Sequence, residues 1–145
     1  MRAQSSRVLA RSVLVAGSLA LATSCRSSPA QHLAETLDEA AGQLAVLDMG
    51  LAAWFGNRVP TAFLERLADE TTSKLEQAAS SATALPSDSA LSDSARRTLA
   101  HAATAASLAP LVRSADTSGI RARAAQLSAL RFTIGALRSR VSLEP

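Results

Sequence analysis

The chain has one cysteine, one lysine and no tyrosine in 145 residues, and its aromatic side chains are three phenylalanines and one tryptophan. Each shortage excludes something. A lone cysteine has no partner for a disulfide framework. β-Branched and aromatic residues favour strands, whereas alanine, present 32 times, has the best helix propensity. Composition therefore predicts an all-α protein. No C-x-x-C-H stretch offers a haem attachment site. No serine sits in a G-x-S-x-G turn, and there is no glycine-rich phosphate loop. Arginine outnumbers lysine 14 to 1, a bias from which no function is drawn.

What is present begins with three zones at the N-terminus. Arg2, Arg7 and Arg11 form a positive head without an acidic residue. "SVLVAGSLALA", residues 12–22, is an uncharged apolar run, and the small residues Ala22, Thr23 and Ser24 follow it. That order is the pattern of an export signal. The run is too short to span a bilayer, which takes ~20 apolar residues in a helix. Two cleavage sites compete. Ala20-Leu21-Ala22 is an A-x-A-like site that frees a chain beginning at Thr23. The other site lies before Cys25.

Leu21-Ala22-Thr23-Ser24-Cys25 resembles the lipobox of bacterial lipoproteins, in which small or apolar residues precede a cysteine that is lipidated and becomes residue one. The departure is Ala22, where leucine is commoner. The resemblance covers residues 1–25 only. It implies a signal peptide over 1–24, acylation at Cys25 and a bilayer as partner. Chemistry favours it over the free-thiol alternative, because a lone exposed thiol in an oxidising envelope is a crosslinking liability and a thioether-linked lipid removes it. One acyl chain holds a protein only marginally at ~0.8 kcal/mol per buried methylene, whereas the two or three chains of a lipoprotein cysteine make the anchor effectively permanent. Residue 26 is Arg rather than Asp. By analogy with enteric bacteria this implies the outer membrane, facing the periplasm.

Beyond Cys25, residues 26–31 ("RSSPAQ") read as a short polar tether, and 32–145 as one domain. The overall charge of +3 is misleading, because loss of three arginines with the signal leaves 12 bases against 12 acids. A neutral domain removes the case for nucleic-acid binding, which normally shows as strong basicity. The charges are nonetheless unevenly placed. Residues 30–92 carry nine acids and three bases, and residues 93–145 carry three acids and eight bases. The plainer explanation is attraction between an acidic first half and a basic second half. The sharper one is two faces for oppositely charged partners.

Apolar spacing predicts four helices. Leu33, Leu37, Ala40, Leu44, Leu47, Leu51 and Trp54 form a heptad seam, with Leu44 and Leu47 buried at its middle. Gly56 and Asn57 suit a left-handed cap, and Pro60 cannot continue the helix. The second helix runs from about 61 to 84 with Leu64, Leu67, Thr71, Leu75, Ala78, Ala82 and Leu85 inward. Ser87 or Asp88 caps a third, with Leu91, Ala95, Leu99, Ala102 and Ala106 on one side, which Pro110 kinks or ends. Thr117 or Ser118 caps a fourth, with Ile120, Ala124, Leu127, Ile134, Leu137 and Val141 as its stripe. Short connections then predict an antiparallel four-helix bundle of two hairpins; an extended hairpin array is the alternative.

Candidate chemistry is sparse. His32 and Glu35 share a helical face, but a bundle di-metal site needs Glu-x-x-His on two helices and two further carboxylates. His101 lies in a different element, as a boundary residue. No metal ligand, catalytic residue or cofactor is therefore assigned. Asp48 beside the seam reads as a solvated edge that pairs with Lys74 or Arg66. Trp54, Phe55 and Phe63 read as an aromatic plug at one end of the bundle, the alternative being an exposed patch for a partner or for lipid. The function expected is a non-enzymatic, membrane-anchored envelope lipoprotein, acting as a structural or protein-interaction module with an envelope protein as partner. The rival is a small-molecule or metal-binding helical bundle in the periplasm. A closed apolar core speaks for the first, and a pocket with converging polar groups for the second.

Overall fold

The computed structural model describes residues 28–143. The segment read as a signal, 1–24, and Cys25 lie outside these residues. Helix α1 spans Pro29–Phe55. Ser28 caps it by accepting from the Gln31 N–H at 3.1 Å, and Pro29 occupies a first-turn position where a missing N–H loses no hydrogen bond. The helix thus starts three residues before the expected boundary at 32, and Pro29–Gln31 belong to the bundle rather than to the tether. All the leucines of the expected seam are buried, and Trp54 is half-buried at its end. At the C-terminus the Asn57 N–H bonds Trp54 O and the Arg58 N–H bonds Ala53 O, a Schellman arrangement. Asn57 takes the left-handed conformation (φ 54°), while Gly56 stays at φ −83°.

Helix α2 covers Thr61–Ser81, three residues shorter than its pattern predicts. Pro86 disfavours helical geometry at Leu85, and the chain is already extended at Ala82, which carries Leu85 into the core. Ala68 and Ala79, rather than Leu67 and Ala78, hold inner positions on this helix. Leu67 packs at the flank instead, against the bare Cα of Gly50 on α1. Helix α3 is Ser89–Ala106, capped by Asp88, which accepts from the Leu91 N–H at 2.8 Å. It ends at Ala106 because a proline ring clashes with the carbonyl four residues before it, here that of Ala106 to Pro110. The single-turn α4, Ala109–Arg113, then forms with Pro110 in its first turn. Helix α5 is Thr117–Val141. Its cap is Asp116, not Thr117 or Ser118: the Asp116 carboxylate accepts from the Gly119 N–H at 2.9 Å. A Cβ at position 119 would meet that carboxylate, so the glycine lets Asp116 sit close over the first turn.

Pairs across the helices fix their directions. Asp38 meets Arg138 at one end of α1, and Phe55 meets Arg121 at the other, so α1 and α5 are antiparallel. Gly50 faces Leu64 and Leu67, while Thr36–Gln43 lie along Lys74–Ser81, so α1 and α2 are antiparallel too. Around the perimeter the order is α1, α2, α3, α5, with α4 packed on α2 and α5. The protein is an all-α four-helix bundle with one extra turn, as its sequence predicts. The α1/α2 side carries most of the acids and the α3/α5 side most of the bases. One continuous core reaches from Ala30 to Val141. The inner face of α3 is mostly alanine, which lets it pack closely on α2 and α5.

Candidate functional site

Two grooves stand out among the described residues. The larger, about 370 Å³ and open to solvent, lies between the start of α1 and the end of α5, with Ser28, Ala34, Asp38, Arg138 and Val141 in its wall. Arg138 Nε donates to Asp38 Oδ2 at 3.1 Å, and Oδ1 lies equally near. Both side chains are about half exposed, so the pair contributes only ~0.2–1 kcal/mol. Among the described residues it is the ion pair that joins the acidic and basic halves. The smaller groove, about 140 Å³, runs between α1 and α2 past Glu39, Gln43 and Lys74. Pockets for small molecules typically measure ~300–1,000 Å³ and enclose most of their ligand. One groove is too small and the other is open.

Lys74 does not pair with Asp48. Its ammonium bonds Glu70 at 2.8 Å on the same helix, one turn back, where the two side chains meet without reaching across to α1. That hydrogen bond, and then the lysine charge, hold the Glu70 carboxyl below the usual glutamate range. Asp48 is a solvated edge residue, as expected, but pairs with neither Lys74 nor Arg66. His32 Nδ1 lies 3.7 Å from Glu35 Oε2 at the exposed start of α1. Among the described residues no three His, Cys, Asp or Glu gather to hold a metal ion. His101 Nε2 lies 2.8 Å from the Gln126 amide nitrogen, and Gln126 also accepts from Arg123, so His101 joins α3 to α5 at the bundle's edge.

The aromatic end is only partly closed. Trp54 and Phe55 meet edge-on with ring centres 5.2 Å apart, and both pack against the core. The Trp54 indole N–H donates to Thr61 Oγ1 at 3.4 Å, and the Arg121 guanidinium lies 5.5 Å from the Phe55 ring centre. Phe63 is 48% exposed and stands outside this plug, which corrects the expectation of three plugging rings. It lies in the first turn of α2, off the buried stripe of Leu64, Ala68 and Thr71.

Three features of the structure were not singled out in the sequence. The hydroxyls of Thr71 and Thr72 are buried without a hydrogen-bond partner. Phe132 on α5 is 82% exposed, and Leu143 just beyond the helix is 84% exposed. On α1, Val46 and Met49 also face solvent. Stripe analysis finds inward positions, and an apolar residue off the stripe such as Phe132 is its own signal of an outward contact. No described helix is long and apolar enough to cross a membrane. The chain matches no family model, no curated protein and no solved structure.

Proposed function

We propose that the chain is an envelope lipoprotein, acylated at Cys25, whose bundle is a non-enzymatic structural or interaction module at the outer membrane facing the periplasm. The carrying observation is the position of the one cysteine: directly behind a positive head, an apolar run and small residues, and three positions ahead of Ser28, the cap of α1. The apolar core, continuous along the bundle, supports a module that works through its surface. Balanced charge beyond Cys25 supports protein and lipid as partners rather than nucleic acid.

Small-molecule binding within the bundle is the second reading. The unpartnered hydroxyls of Thr71 and Thr72 favour it, since a buried polar group usually has a partner. Cys25→Ser separates an anchored module from an unanchored one. The parent should fractionate with membranes and carry acyl chains, and the variant should carry none. Affinity purification of the intact lipoprotein from its native membrane should retain an envelope protein. A parent without acyl chains, found in the soluble fraction, would contradict the proposal.

A further inference from the structure

We propose that the α3/α5 side of the bundle lies flat on an anionic bilayer, with Phe132 and Leu143 inserted and arginines at headgroup level. The inference rests on acylation at Cys25. Helix α5 carries Arg121, Arg123, Arg131, Arg138 and Arg140, and no acid stands between Thr117 and Leu143. Its outward stripe is mostly apolar: Ala125, Ala129, Phe132, Ala136 and Leu143 are all exposed at helical spacing, with Ser139 the polar member of the row. The Leu143 N–H bonds Arg140 O, which continues the turn past Val141. An exposed apolar stripe flanked by arginines is the pattern of a helix lying in a membrane interface. Here the opposite face of the same helix fills the core of the bundle.

The anchor places this stripe at the surface. Cys25 precedes Ser28 by three positions, with two residues between them, and an extended chain covers at most ~3.6 Å per position. Whatever path those residues take, the acylated cysteine lies within ~11 Å of Ser28. Ser28 shares its groove with Arg138, Val141 and Ser142, so the lipid enters the bilayer beside the end of α5. The anchor leaves the bundle free to roll, and charge decides the roll. The α1/α2 side carries the acids and is repelled by anionic headgroups, while the α3/α5 side is attracted. A second copy offers its acidic side to the same arginines, but the tethered surface is always within reach and needs no encounter.

The test uses the acylated protein in vesicles of phosphatidylcholine with and without phosphatidylglycerol. A nitroxide is placed on Ala136→Cys or, as the control on the far side, Met49→Cys. Acylation blocks Cys25, so one label per chain is expected. Two labels would show that the acylation reading had failed, separately from the orientation. With phosphatidylglycerol present, the label at 136 should be relaxed several-fold more by oxygen than by a water-soluble nickel chelate, and the label at 49 the reverse. Arg131→Glu with Arg140→Glu, both exposed, should return the label at 136 to the chelate. Equal chelate access at 136 and 49 in both vesicle types would overturn the proposal. So would protection of 136 that needs high protein density and comes with crosslinking between copies, which would assign the face to a second copy.

Discussion

Replacing Thr71 with valine tests whether the core is closed. Thr71 is 1% exposed and its hydroxyl has no partner, so folding removes that hydroxyl from water and returns nothing. A buried hydrogen-bonding group left unmade costs about 1–3 kcal/mol. Valine keeps the β-branched shape and adds a buried methyl in the hydroxyl's place, which contributes a further ~0.8 kcal/mol less any crowding. Thr71→Val should therefore stabilise the bundle by about 1–3 kcal/mol. Thr71→Ser keeps the orphan hydroxyl and removes a buried methyl, so it should cost about 1 kcal/mol. Urea unfolding of a chain beginning at Arg26 reads both. With a slope of ~1–3 kcal/mol per molar urea, the valine variant should move the midpoint up by on the order of 1 M. A valine variant less stable than the parent, beside a neutral serine variant, would refute the reasoning. The hydroxyl would then have a partner, water or a ligand, and the binding reading would gain what the closed core lost.

Leu44→Ala and Leu47→Ala remove buried side chains from the middle of α1 and should each cost ~2–5 kcal/mol in the same assay. If both unfold like the parent, the assigned core face is wrong. Gly42 and Gly135 are exposed, lie inside helices, and have open space where a Cβ would stand. Alanine at either should stabilise by ~0.5–1 kcal/mol, and a loss would show an unseen close contact there. A double-mutant cycle of Asp38→Asn and Arg138→Gln should give a coupling of ~0.2–1 kcal/mol. The coupling should shrink as salt rises past ~0.1 M, and a larger, salt-insensitive value would contradict the exposure of the pair.

The leucines of α1 were legible because all five, with Ala40, fall on one stripe at unbroken 3–4 spacing, whereas Val46 and Met49 are a single exposed pair off it. On α2 the competition was real. Leu67 is larger than Ala68 and fits the 3–4 spacing equally well, and only the bare backbone of Gly50 on another helix explains why the leucine takes the side position. Asp116 lost to Thr117 and Ser118 as the expected cap because all three types cap well, and the choice depends on a turn closed by the Asp116 N–H to Leu111 O. Ala82 and Leu85 continue the apolar spacing of α2, yet the helix ends at Ser81, since proline acts on the residue before it. The charge split was visible in the sequence, but not its sparse internal pairing. Among the described residues the lysine and arginine side chains paired with carboxylates are Lys74, Arg96 and Arg138, and two of these three pair within their own helix, where local geometry brings the partner.

The measurement that bears most directly on the account is the intact mass of the mature protein extracted from its own membrane. Acylation predicts a chain that begins at Cys25, with two or three acyl chains on that residue and no free thiol. A chain beginning at Thr23 with an unmodified Cys25 would contradict it, and with it the bilayer as partner.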